Sequence, residues 1–144
     1  MGQIWEKMTP IFIDASSFIA SLNKKDPNHK EAGRIGYELF QKDKDWVTAN
    51  IMVYEVYTVV SQKIDKNLAF IFKETVLPHT NVYFVDSEVE EIAWEIFAAV
   101  KSKNIGFFDC LAFAVMKKYN IKEAFSFDQD FKKIGRGLGV TVLP

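Results

Sequence analysis

Four carboxylates in this chain stand where carboxylates are expensive. Glu55 has Ile51, Met52, Thr58 and Val59 at the helical spacings of three and four, and Asp109 has Ala112 and Phe113 three and four residues on. No Lys or Arg occurs between Asp45 and Gln62 or between Gly106 and Met116, so neither acid has a local counter-charge. An ionised carboxylate among apolar side chains is costly unless something positive meets it. Asp14 closes the apolar run Ile11-Phe12-Ile13, and Asp128 follows Ala124-Phe125-Ser126-Phe127. Glu38 is the contrast: flanked by Arg34, Ile35, Gln41 and Lys42, it is ordinary solvated surface.

Taken singly, each acid has a plain structural explanation. Asp14 can cap a helix, Asp128 can open a turn, and Glu55 and Asp109 can pair with a distant cation. Converging on one edge, the four would repel at neutral pH, and either protonation or a divalent cation would relieve the repulsion. All-oxygen ligation favours Mg²⁺ or Mn²⁺. The two histidines, His29 and His79, fall at loop or helix-edge positions and do not suggest zinc. There is no glycine-rich phosphate loop; Gly135, Gly137 and Gly139 read as a turn into the last strand. A carboxylate-held Mg²⁺ suits in-line hydrolysis of a phosphodiester, which makes nucleic acid the expected substrate.

The elements that would position these acids follow from hydrophobic period and turn signals. Ile11–Ile13 reads as a buried strand, followed by a helix from Ala15 through Leu22. Asp26-Pro27-Asn28 starts a helix to about Gln41 that turns Ala32, Ile35, Leu39 and Phe40 inward. Trp46–Thr48 is a second strand, Asn50 caps a helix to about Ile64, and a further helix spans Asn67 to Leu77. Val82–Val85 is a third strand, and Asp86 or Ser87 caps a helix with an apolar stripe from Val89 to Val100. A helix from Gly106 buries Phe108, Leu111, Ala112, Val115, Met116 and Tyr119, and the strands Ala124–Phe127 and Val140–Leu143 finish the chain. Strands alternating with helices predict an α/β fold, three layers α/β/α around a mostly parallel central sheet. In such sheets sites gather at the carboxyl ends of the strands, where Asp14, Asp128 and the helix carrying Glu55 all begin.

The 144 residues suit a single domain over 11–144, preceded by an extension at 1–10. Thirteen Phe and three Trp call for a densely packed interior rather than a disordered chain. Cys110 is the single cysteine and reads as a small core hydrophobe. No signal peptide or membrane span is visible, which makes a cytoplasmic location the expectation. The net charge of −1 hides an asymmetry: residues 1–100 carry ten Lys/Arg against fifteen Asp/Glu, and residues 101–144 carry eight against four. The basic final third is compatible with a phosphate-rich partner.

Four segments, FIDASSFIASL around Asp14, VTANIMVYEVYTVV around Glu55, GFFDCLAFAVMKKYNI around Asp109 and AFSFDQDF around Asp128, together resemble the PIN domain, with the VapC-type toxins of toxin–antitoxin pairs as the nearest likeness. The resemblance spans residues 11 to 143. It implies an Mg²⁺- or Mn²⁺-dependent endoribonuclease with Asp14, Glu55, Asp109 and Asp128 as the catalytic, metal-binding acids. It also implies that Ser16 and Ser126 support the site and that Asp130 acts as an auxiliary acid, unless Asp130 caps the next turn. A cognate antitoxin and a homodimer belong to the same expectation, and Ala15 departs from it by standing where Thr is common. For an RNA substrate, Lys24, Lys25, Lys132, Lys133 and Arg136 are candidates for backbone-phosphate contacts. The alternative is a PIN-fold binding module acting through Tyr54, Tyr57, Phe70 and Phe72 rather than through catalysis. A receiver-type phosphate acceptor fits less well, because Asp14 has no adjacent acid.

Overall fold

A computed structural model describes residues 8–102 and 104–144. Residues 1–7, most of the expected extension, lie outside the described residues, and Pro10 already belongs to the first strand. Five strands, β1 (Pro10–Ile13), β2 (Asp45–Ala49), β3 (Asn81–Tyr83), β4 (Glu123–Phe125) and β5 (Thr141–Leu143), form one sheet in the order β3-β2-β1-β4-β5. All four pairings are parallel. The sheet is wholly parallel, consistent with its central strands reading as continuous apolar runs rather than alternating ones.

Among the described residues seven α-helices flank it: α1 (Ala15–Leu22), α2 (His29–Gln41), α3 (Asn50–Lys63), α4 (Lys66–Ile71), α5 (Ser87–Ala99), α6 (Phe107–Lys118) and α7 (Gln129–Gly137). The right-handed rule for parallel crossovers puts α1 to α4, which connect β1 to β2 to β3, on one face. The return past β1 to β4 and β5 puts α5, α6 and α7 on the other. The packing agrees, since α1 meets α2 and α3 while α5 meets α6. Helix α6 is the centre of its layer: Cys110 through Met116 are buried without interruption, where an amphipathic helix would bury only a stripe.

The end of α6 delivers the chain into β4. Asn120 takes a left-handed conformation (φ 56°), Ile121 N–H donates to Met116 O at 2.8 Å and Asn120 N–H to Lys117 O at 3.4 Å. That is a Schellman ending built on Asn instead of Gly.

Several expectations need correcting. Phe40 and Phe108 are 75% and 61% exposed, so neither is core. On α6, Phe108 lies off the buried arc that begins at Cys110. Phe97 in the α5 stripe is also exposed, packing edge-on against Trp94 and Phe107. The helix expected over Asn67–Leu77 begins at Lys66, capped by Asp65, and leaves α geometry at Phe72. A π-helical turn over Phe72–Val76 and a 3₁₀ turn over Leu77–His79 follow. Phe72 is fully buried against Phe18 and Tyr57, and Pro78 has no N–H to continue the ladder. Phe72 is therefore core, not partner surface, whereas Tyr54 and Phe70 are exposed.

Asn50 does not cap α3; its Oδ1 accepts the Val85 N–H at 3.0 Å and pins the loop after β3 instead. The glycines read as a turn lie partly in a helix, α7, that hydrophobic period did not reveal. Gly135 is there because a Cβ would stand 2.7 Å from Val142 Cγ2 and 3.2 Å from Val140 O. Helix α7 crosses β5 too closely for any side chain at that point.

Candidate active site

The strand order reverses beside β1, which has β2 on one side and β4 on the other. At such a switch point the loops leaving the two strands part, and a crevice opens at their carboxyl ends. Asp14 leaves β1 into that crevice and Ser126 to Asp128 leave β4 into it. Glu55 comes from the second turn of α3, which starts directly from the end of β2, and Asp109 from the first turn of α6.

Asp14 is the anchored member. It occupies the N-cap position of α1, yet its side chain makes no capping bond. Its Oδ2 instead accepts two hydroxyls, from Ser16 and from Ser126, each at 2.7 Å. Each hydroxyl is oriented by a backbone donor: Phe127 N–H donates to Ser16 Oγ and Asp128 N–H to Ser126 Oγ, both at 3.1 Å. With a lone pair taken on each oxygen, both hydroxyl protons go to the carboxylate. Asp14 N–H and Ser17 Oγ both donate to Phe125 O, so backbone and side chains lock the ends of β1 and β4 together. Burial pushes the Asp14 carboxyl above its ordinary pKa, the Ser126 and Ser16 hydroxyls pull it back, and Asp128 adds repulsion.

The other three acids feel the same field. Asp109 is half-buried, and desolvation first, then Asp14, Asp128, Glu55 and Asp130, push its pKa up to about 7. Glu55 is raised by desolvation and then by Asp14 and Asp128. Asp128 is exposed and its Oδ1 caps α7 by accepting the Asp130 N–H at 2.9 Å. Asp130 is therefore inside the first turn of α7, not its cap. Among the described residues, none of these acids has a Lys, Arg or His within ion-pair distance.

The candidate cations are placed differently. Lys24 and Lys25 follow α1, a helix whose eight residues carry the chain about 12 Å from its start beside Asp14. Lys132 lies one turn into α7, with its N–H on Asp128 O at 3.2 Å, while Lys133 and Arg136 are exposed further along that helix. Sequence reasoning put Tyr54 on a candidate partner surface rather than beside the acids, and took Phe108 as core. These residues immediately precede Glu55 and Asp109 and line one cavity with Glu55.

Among the described residues, no three Asp, Glu, His or Cys side chains are grouped, as oriented, to hold one metal ion. The donor set nevertheless suits a hard divalent cation: four carboxylates, mutually repelling and without a cationic partner. The PIN domain model matches residues 11–137. The chain belongs to the PIN domain family. Similar proteins include the 23S rRNA-specific endonuclease VapC20 of Mycobacterium tuberculosis, 31% identical over 129 residues that cover 87% of this chain and 94% of that protein. The crystal structure of that VapC20, described as a Sarcin-Ricin loop cleaving toxin, superposes with a TM-score of 0.75 and 29% identity over 87% of this chain and 95% of that one. VapBC2 from Rickettsia felis, bound to a DNA fragment from its promoter, shares the fold at 15% identity (TM-score 0.70, 94% and 98% of the two chains). The wholly parallel PIN sheet with helices on both faces bears out the three-layer fold expected from the alternation of elements.

Proposed function

We propose that this PIN domain is an Mg²⁺- or Mn²⁺-dependent endoribonuclease, the toxin of a toxin–antitoxin pair, with Asp14, Glu55, Asp109 and Asp128 as its catalytic acids. One observation carries the reading. Asp14, Glu55, Asp109 and Asp128 come from the carboxyl-end side of the sheet at its switch point with no ion-pair partner among the described residues, and burial and mutual repulsion raise the carboxyl pKa of the first three. Such a cluster weakens the fold unless a ligand uses it. Held by these four acids, a divalent cation would acidify a bound water and neutralise charge on the phosphate under attack.

The chain's own residues divide the remaining work. Asp14, fixed by Ser16 and Ser126, is the rigid ligand. Glu55 is exposed and swings inward to close the set around an ion, while Asp128, whose Oδ1 caps α7, keeps Oδ2 for it. Asp109, with a pKa of about 7, accepts a proton near neutrality when no cation is bound, so protons and metal compete for it. Lys132, one turn from Asp128, is the nearest of the proposed phosphate contacts along α7. Similarity to an rRNA endonuclease supports RNA as the substrate class, and the antitoxin complexes among the fold's neighbours support an antitoxin as partner.

The test is RNA cleavage by the purified protein with Mn²⁺, Mg²⁺ or EDTA, followed by mapping of the new RNA ends. Cleavage should need the metal and should vanish in Asp14→Asn. Undiminished cleavage in EDTA, or by Asp14→Asn, overturns the assignment.

A further inference from the structure

We propose that Tyr54 and Phe108 form a stacking shelf for an unpaired base of the RNA, next to the scissile phosphate. This inference rests on the nuclease reading above. The cavity that holds Glu55 has a volume of about 330 Å³, at the small end of ligand clefts, and its other walls are Ile51, Tyr54, Thr58, Val59 and Phe108. Tyr54 and Phe108 are 54% and 61% exposed, large rings in water beside the acids rather than in the core. They belong to different helices, α3 and α6, and each is the residue before a catalytic acid, so their positions are tied to the site's own geometry.

The lining decides what the cavity takes. It carries no Lys or Arg, and Glu55 repels phosphate, so the sugar–phosphate backbone is not what binds here. An uncharged, flat and polarisable group fits instead. Thr58 Oγ1 already donates to Tyr54 O at 2.8 Å, which leaves its lone pairs free for an N–H on a base edge. A strand whose phosphodiester lies at the acids places a neighbouring nucleotide beside this shelf. A base inside a duplex has both faces covered by its neighbours and cannot use an aromatic platform, whereas an unstacked one can.

Two measurements test the shelf. Steady-state cleavage of a random-sequence single-stranded oligoribonucleotide pool is compared with the same pool annealed to its complement. In parallel, 2-aminopurine at successive positions of the loop of a stem-loop RNA reports stacking on the Asp14→Asn protein. The wild type should prefer the single strand, and 2-aminopurine should be quenched at one position beside the cut. Tyr54→Ala and Phe108→Ala should each raise KM about 10-fold with little change in kcat and abolish that quench. Tyr54→Trp should keep both, and Phe40→Ala, an exposed aromatic elsewhere, should change neither.

Both residues are exposed, so the substitutions leave the core intact, and an unchanged melting temperature verifies it. If the wild type cleaves RNA and both alanine variants keep its KM, the shelf is wrong and the nuclease reading stands. If they keep KM but fail to hold a co-expressed antitoxin, the surface serves a protein and the shelf is equally wrong. A wild type that cleaves no RNA with either metal overturns both.

Discussion

The two edges of the sheet handle charge in opposite ways. At the amino edge, Lys44 just before β2 reaches Glu123 at the start of β4, Nζ to Oε2 2.9 Å, and the pair is partly shielded. On the surface, Glu31 and Glu38 share Arg34, while Asp86 and Glu88 share Lys118. At the carboxyl edge, Asp14, Glu55, Asp109 and Asp128 have no such partner among the described residues. Glu31, Glu38, Asp86, Glu88 and Glu123 thus each meet a cation, whereas the four acids of the crevice cluster without one. Unbalanced charge is what distinguishes the proposed site from scaffolding built of the same residue types.

The sharpest way to break this contrast is to neutralise one unpaired acid. Asp109→Asn should lower RNA cleavage by more than ~100-fold, because even residues that merely orient metal ligands cost ~10–100-fold when changed. In metal-free buffer at pH 8 its melting temperature should equal or exceed that of the wild type, since the substitution removes repulsion. A large loss of stability with cleavage retained would turn Asp109 into scaffolding. Ser126→Ala comes next. It leaves Asp14 Oδ2 with the Ser16 hydroxyl alone, so a ~10–100-fold loss of cleavage and of metal affinity is expected. A variant with wild-type metal affinity by calorimetry would show that one hydroxyl suffices.

The acids themselves were legible because lone charges in apolar helices are visible without a structure. The same holds for the sheet, whose strands are short and largely apolar, with Asp14 and Asn50 directly after the first two. What could not be read depended on contacts between distant segments. Gly135 passes for a turn residue until Val142 is seen against it, and α7 with its glycines then becomes a helix chosen for closeness. Asn50 passes for a cap until its partner, Val85, appears thirty-five residues away. Phe108 passes for core because Leu111, Ala112, Val115 and Met116 set a stripe that includes it by spacing, yet α6 is buried on every side only from Cys110 to Met116 and Phe108 lies outside. The Ser16 and Ser126 network was accessible only through resemblance, since its two hydroxyls are 110 residues apart.

pH offers a gentler handle on the unpaired edge. Asp109 binds its proton with a pKa of about 7 in the folded protein against 3.8 as the ordinary value. Between those values the folded state holds more protons than the unfolded chain, so stability falls as pH rises through the window. The metal-free protein should therefore lose melting temperature from pH 4 toward pH 7 in this contribution, with Asp14 and Glu55 acting in the same direction. Mn²⁺ should reverse the trend, because it needs the ionised acids. At a concentration ~100-fold above Kd it adds about 2.7 kcal/mol, and the stabilisation should be larger at pH 8 than at pH 6. Equal Mn²⁺ shifts at both pH values would remove Asp109 from the metal-binding set.

The smallest effect belongs to the paired edge. Lys44 and Glu123 are partly shielded, with side-chain exposures of 17% and 34%, so their bond lies at the upper end of what surface pairs contribute. A double-mutant cycle of Lys44→Met and Glu123→Gln, measured by urea denaturation, should give a coupling of about 1 kcal/mol or less, weakening with salt. RNA cleavage should be unchanged in all three variants. Strand β4 ties the two edges together, because Glu123 opens it and Ser126 follows it. If the Lys44 variant cleaved markedly less while remaining folded, register at the amino edge would have to be setting Ser126, and hence Asp14, at the other. The division of labour between the edges would then give way to a coupling carried by the three residues of β4.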